Sequence, residues 1–358
     1  MSARPPHHYV VFAFLLLMCP LIVFGHDKYT VLSKAKIISV QPSRILSAPE
    51  NRVVFDSVPF SAGSAIPHWE KGYLISITSE ATQPNTPDVR LYDASGRKVR
   101  EAAIWFEGAR DLFVLSAAVA RGGTILASGT AVNSDGNRAY FIAMAGATGT
   151  VTAAIQTNPL LAKQICAAPD GTVWAFGGLE RNLGGPRPQG DLLRHFDFQK
   201  GLIGSLLPSS GFDPKLGRPD LETGRAGEEV YMRCSDTMLG IYSGPVNEYI
   251  ALNLVTGALR QFAVRKTNVG IGLAGFALTD GGEAYGVLVD RAARKEGLFH
   301  LDIDQSANRA NWTPVNGSIG QMGQPGIVSQ LWGADANRLV YGMGEPSEKA
   351  ILYWSEAP

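Results

Sequence analysis

The chain has 358 residues, with 32 basic side chains against 32 acidic ones and a formal net charge of zero. That balance leaves no global field to draw in nucleic acid or an anionic membrane surface. Only 18% of the residues are charged, while glycine (40) and proline (21) are plentiful, a mixture that suits many short strands and tight turns better than a helical protein.

The N-terminus reads as a targeting segment. Arg4 precedes an uncharged apolar run over residues 10–24, "VVFAFLLLMCPLIVF", broken by Pro20. The run is too short for a typical span of about 20 residues and fits the apolar region of a secretory leader. Cleavage is expected after Gly25, placing residues 26–358 outside the cytoplasm, secreted or periplasmic. Retention as an uncleaved anchor is the alternative, and the only membrane contact the sequence suggests. Cys19 departs with the leader; Cys166 and Cys234 remain. Two cysteines in an exported chain permit one disulfide and equally permit two buried thiols, and the sequence leaves both open.

After a short extension over residues 26–50, one shape recurs to the end of the chain. "VRLYDASGRKVREAAIW" (89–105) is an apolar strand, a polar turn with glycine, and a second apolar strand. It returns as "AYFIAMAGATGTVTAAIQ" (139–156), "LLRHFDFQKGLIGSLL" (192–207) and "EYIALNLVTGALRQFAV" (248–264), and more weakly as "GLFHLDIDQSANRANWTPV" (297–315). Aligned on the turn-opening residues Asp93, Ala145, Asp197, Asn253 and Asp302, the steps are 52, 52, 56 and 49 residues, and a further step of 53 reaches Ser355. A second marker, a turn followed by a short apolar strand, precedes each hairpin, as in "ARGGTILASGT" (120–130), "APDGTVWAFGG" (168–178) and "LTDGGEAYGVL" (278–288). Asp-Gly and Thr-Gly at such turns supply the positive φ that tight hairpins need.

A four-stranded repeat of about 50 residues predicts a β-propeller. The expectation is an all-β, six-bladed β-propeller with four-stranded antiparallel blades, one domain over residues 51–358. The last copy stops one strand short, so "NRVVFDSV" (51–58) is expected to supply its fourth strand and close the ring, removing an open sheet edge. "PLLAKQICAA" (159–168) carries apolar residues at helical spacing and is the clearest place where a short helix competes. Gly270, Gly272 and Gly275 spell G-x-G-x-x-G. A dinucleotide fingerprint must open a helix and be followed by an acid about 20 residues on, whereas here a strand follows. Crowding of inner strands is the reading preferred for these glycines.

"APDGTVWAFGG" and "RLYDASGRKV" (90–99) resemble the turn-strand and hairpin elements of the secreted sensor-type and lyase-type propeller superfamily. The resemblance covers residues 62–358 and concerns structural positions. It implies a fold shared by ligand sensors, lyases, lactonases and interaction platforms, so it does not fix function.

Chemistry is sparse. There is no H-E-x-x-H, phosphate-binding loop or G-x-S-x-G elbow. His195 and His300 occupy similar third-strand positions and are expected to be partly buried sheet residues, whereas His68 lies near an inner strand. "DIDQSAN" (302–308) lacks the glycine and closing glutamate of a calcium loop and reads as a polar turn. The long connections 79–88, 178–191 and 208–225 should project from one face, bringing Arg181, Asn182, Arg187, Arg218 and Asp220 into one patch. Inner segments add Arg121, Gln164, Arg233 and Gln330, with Arg233 suited to an anion.

The function expected is therefore a non-catalytic extracytoplasmic module, monomeric, holding a protein, peptide or glycan at its loop face, with no cofactor and no nucleic acid. The alternative is a propeller enzyme, a lyase or metal-assisted lactonase. It would place a divalent cation such as Ca²⁺ at the channel mouth on His68, Glu70, Glu229 and Asp280.

Overall fold

The computed structural model describes residues 52–55, 67–78, 84–179, 190–209, 230–244, 247–265, 271–315, 317–336, 338–343 and 350–356. Within them the chain is all-β, with one short 3₁₀ turn at Arg121–Gly123. An isolated strand, β1 (Arg52–Phe55), is followed by a series of antiparallel meanders. The first comprises β2 (His68–Glu70), β3 (Tyr73–Ile77), β4 (Val89–Tyr92) and β5 (Lys98–Ala102). The second comprises β6 (Ala109–Ala120), β7 (Thr124–Asn133), β8 (Arg138–Ala145) and β9 (Val151–Gln156). Next come β10 (Leu160–Ala167), β11 (Val173–Leu179), β12 (Asp191–Asp197) and β13 (Gly201–Pro208). The fourth is β14 (Val230–Cys234), β15 (Met238–Ser243), β16 (Glu248–Asn253) and β17 (Leu259–Val264). The fifth is β18 (Ile271–Leu278), β19 (Ala284–Asp290), β20 (Lys295–Asp304) and β21 (Arg309–Pro314), with the short β22 (Gly320–Gln321) paired to β20. The last is β23 (Val328–Asp335), β24 (Arg338–Met343) and β25 (Ala350–Glu356).

That last meander holds three consecutive strands, and β1 supplies the fourth, antiparallel to β25 with Arg52 opposite Tyr353 and Phe55 opposite Ala350. The strand expected from residues 51–58 therefore closes the sheet as the repeat count requires. Two parallel contacts fuse neighbouring meanders into larger sheets: Trp69 of β2 pairs Gly333 of β23, and Ala263–Val264 of β17 pair Arg309–Ala310 of β21. The segment with helical apolar spacing is strand β10, because its carbonyl and amide groups pair with β11 over its full length. Neighbouring sheets override the local period.

The hairpin turns form for a local reason. Asp93 Oδ1 accepts from the Ser95 and Arg97 amides and the Ser95 hydroxyl, building the turn on one carboxylate oxygen. Asp197 and Asn253 do the same with the amides two and three residues on. In the fifth meander the opener is Asp304, whose Oδ1 accepts from Ser306 and Ala307, and not Asp302. Asp302 lies inside β20 and holds His300 Nδ1 at 2.9 Å and the Thr313 hydroxyl at 2.5 Å. With Asp304 as opener the last two steps become 51 and 51 residues.

Apolar residues are buried in layers between successive sheets. One cluster joins Ile75, Leu91 and Leu112 to Phe141, a second joins Leu126 and Ile142 through Trp174 and Phe196 to Ile241, and two more join the fourth to the fifth and the fifth to the last meander. Such stacking makes each sheet dependent on its neighbours.

Asp88, where the second-to-third-strand connection of the first meander enters β4, is 1% exposed. Its Oδ2 accepts from the Ile104 amide at 2.7 Å, yet burial outweighs that bond and raises its pKa from 3.8 to about 6. The folded chain thus holds this proton in a window where the unfolded chain has released it. Stability from Asp88 is complete below about pH 4 and is lost as pH rises through 6, a change of about 2–3 kcal/mol. Asp88→Asn keeps an acceptor for Ile104 and removes the charge. Its melting temperature should exceed that of the wild type by roughly 4 °C at pH 8 and match it at about pH 3.5; equal melting at both pH values would refute the assignment.

Candidate functional site

The first strands of the meanders, β2, β6, β10, β14, β18 and β23, touch in sequence and return from β23 to β2. β6, β10, β14 and β18 are edges of their sheets, so their outward amides and carbonyls need partners or water, whereas β2 and β23 meet each other inside one sheet. In this chain the preceding meander supplies them. Glu70 Oε2 accepts from the Val119 amide of β6 at 3.3 Å. Ser116 Oγ accepts from the Ile165 amide of β10 at 3.2 Å. Gln164 spans β14, its amide nitrogen donating to the Val230 carbonyl and its oxygen accepting from the Met232 amide. The Tyr231 hydroxyl donates to the Leu273 carbonyl of β18 at 2.9 Å. At the fifth junction, β18 meets β23 so closely that a Cβ on Gly275 would stand 2.0 Å from the Leu331 carbonyl oxygen. The sixth junction is the Trp69–Gly333 pair. A disulfide between Cys166 and Cys234 adds a covalent tie from β10 to β14, resolving the choice the sequence left open.

The two rims of this ring differ. At the turns joining first to second strands, Thr237 Oγ1 donates to the Asp280 carbonyl at 3.0 Å and the Asp280 amide to the Ala336 carbonyl at 3.0 Å. Lys71 Nζ reaches from the first meander to the Ala167 carbonyl of the third at 2.9 Å. At the opposite rim the second strands end and the third strands begin, and there too one meander's last strand ends and the next meander's first strand begins.

Against this frame the sequence candidates separate. His68 and Arg233 lie on first strands, β2 and β14, close enough for their charges to interact. Glu70 joins them, its Oε2 3.8 Å from His68 Nε2. Burial lowers the His68 pKa; the neighbouring Glu70 opposes the shift and the nearby Arg233 adds to it. Burial likewise lowers the Arg233 pKa, with Tyr231 and Glu70 opposing. Arg233 Nη1 donates to the Met232 carbonyl at 2.9 Å, and its Cζ stands 5.9 Å from the Tyr231 ring centre.

Gln164 is on a first strand as expected, but both ends of its amide serve β14. Gln330, in β23, is exposed, and Arg121 is exposed at the 3₁₀ turn, on the rim away from the long connections. Arg181, Asn182, Arg187, Arg218 and Asp220 lie outside the described residues, as does Glu229. His195 stacks on Trp174 with ring centres 4.1 Å apart and bonds Thr172, and His300 is held by Asp302, so both stay within their own sheets. Ser116, Tyr231 and Lys71 were not singled out from sequence; only the meeting of successive first strands reveals them. Among the described residues no three His, Cys, Asp or Glu side chains converge to hold a metal ion.

No protein-family model and no curated protein matches the chain. Among solved structures, a Xanthomonas campestris gluconolactonase is 14% identical, covering 90% of this chain and 95% of its own, with a TM-score of 0.43. A luciferin-regenerating enzyme is 11% identical over 86% of this chain and 97% of its own, TM-score 0.44. A Bacteroides caccae protein of unknown function is 15% identical over 73% and 84%, TM-score 0.41. The propeller-like architecture is read from this chain's own strand order. No helix among the described residues is long and apolar enough to cross a membrane.

Proposed function

We propose that the chain is an exported six-bladed β-propeller whose meanders are the blades, and that it works as a non-catalytic binding module on the rim bearing its long connections. The observation that carries this reading is the asymmetry of the rims. One is tied turn to turn by Thr237, Asp280 and Lys71. The other receives the connections that follow β3, β11 and β13, including the two longest polar stretches of the sequence. Variable loops on a scaffold fixed by interstrand ties and a disulfide are a common arrangement for recognition. The apolar leader and the Cys166–Cys234 bond both favour an oxidising compartment.

The enzyme alternative needs acids converging on the inner strands. Of its four residues, His68 and Glu70 meet, whereas Asp280 sits in the tied turn rim and accepts from the Asp236 amide at 3.4 Å. Two measurements decide between the readings. Crosslinking in the cell of origin should trap a partner with the wild type and lose it when Arg181, Asn182, Arg187, Arg218 and Asp220 are all changed to alanine, with thermal melting unchanged. Equal trapping by both chains would overturn the rim reading. Melting with EDTA and then Ca²⁺ should leave the midpoint unmoved; a drop restored by calcium would favour the enzyme.

A further inference from the structure

Arg233 is a guanidinium with five N–H donors, of which one bond is accounted for, to the Met232 carbonyl. Its Nε is buried without an acceptor, and no carboxylate among the described residues forms an ion pair with it. Arg233 is half-buried, and a guanidinium drawn partly out of water is costly unless something pairs with it. Glu70 presents the complementary defect. It is 9% exposed, its Oε2 is used by Val119, and its Oε1 is buried without a donor. The two groups come from first strands of the first and fourth meanders, and the charge of Glu70 acts on Arg233 without an ion pair between them. His68 lies beside Glu70 and within the field of Arg233.

A bare anion placed here would gain from Arg233 and be repelled by Glu70, and a bare cation would meet the reverse. A dipolar molecule satisfies both. We propose that Arg233, Glu70 and His68 form a binding site for a small carboxylic acid bearing a hydrogen-bond donor on the adjacent carbon, an α-hydroxy or α-amino acid. Its carboxylate takes the free donors of Arg233, and its hydroxyl or ammonium group takes Glu70 Oε1. Arginine suits the role because its planar fork matches a carboxylate. Gln164 does not take part, since both ends of its amide are held by β14. The site is built on the first strands β2 and β14, whereas the residues proposed for the rim belong to connections between strands.

Calorimetric titration of the full chain with glycolate, glycine, acetate and ethylammonium tests the assignment. Saturable binding of glycolate or of glycine is expected, and which of them binds tells the hydroxy from the amino class. Acetate, lacking the donor, should bind at least about tenfold more weakly, the loss of one bond to a charged group. Glu70→Gln should bring acetate and the preferred ligand to within about threefold of each other, and Arg233→Gln should abolish binding. No saturable binding of glycolate or glycine to the wild type, or undiminished binding to Arg233→Gln, overturns the proposal. If Arg233→Gln fails to fold, Arg233→Lys keeps the charge but loses the fork; it should bind about tenfold more weakly, and unchanged affinity would refute the site. The five rim substitutions should leave these titrations untouched, so failure here and failure of the rim reading are told apart.

Discussion

Reducing the Cys166–Cys234 bond is expected to lower the unfolding free energy by about 4 kcal/mol, the chain-entropy value for a closed loop of this length. The bond joins residues 68 apart, with Cα atoms 6.0 Å from each other, and ties β10 to β14. Between them lie the rest of the third meander and the connection to the fourth, so the covalent loop encloses a whole repeat boundary. In a stack where each sheet relies on its neighbours, loosening one boundary removes burial on both sides. Here Leu193, Phe196 and Leu207 face Met232, Leu239 and Ile241 across it. For a domain of this size the midpoint should fall by roughly 6 °C in the presence of dithiothreitol. The Cys166→Ala/Cys234→Ala double variant should melt near that lower temperature and ignore the reductant. An unchanged midpoint in reductant, with both thiols titrating as free, would show that the Gln164 bridge and the apolar layer alone hold this boundary.

What the sequence made legible was whatever is decided locally. The turn period is set by Asx residues bonding amides two or three positions on, so the hairpins at Asp93, Asp197 and Asn253 could be placed without any tertiary information. The fifth hairpin was placed two residues early because "DIDQS" offers two aspartates. The serine two residues beyond the true opener, Ser95 after Asp93 and Ser306 after Asp304, was the signal that separates them. The closing strand was also legible, since a missing strand at one end and a spare at the other is a matter of counting. Gln164 was singled out, and both ends of its amide turn out to bond β14. A polar residue in an apolar inner segment looks the same whether it awaits a ligand or caps the next sheet edge, and only the proximity of β14 decides. The tie from Glu70 to Val119 spans 49 residues and that from Gln164 to Met232 spans 68, distances over which no periodicity speaks.

Gly275→Ala is expected to cost roughly 4 kcal/mol, combining strain at a positive φ with overpacking against backbone. The residue has φ +132°, and the added Cβ would lie 2.0 Å from the Leu331 carbonyl oxygen and 2.8 Å from the Leu331 amide nitrogen. The nearest atoms are all Leu331 backbone, with no flexible side chain to yield, so β18 and β23 must separate. Of the glycine-rich run, Gly270 lies outside the described residues, while Gly272 and Gly275 fall in the strand Ile271–Leu278, where Gly275 admits the neighbouring strand β23. Gly281→Ala is the matched control, because a Cβ there meets only the Thr279 hydroxyl, at an ordinary 3.6 Å. Gly275→Ala should melt about 6 °C below the wild type and Gly281→Ala within a degree of it. Hydrogen exchange in Gly275→Ala should rise first in β23 and β18, at the junction that the substitution wedges apart, ahead of β10 and β14. Equal melting of the two variants would mean that the fifth junction has room to spare, and that closure of the ring depends on the β1–β25 and Trp69–Gly333 pairings instead.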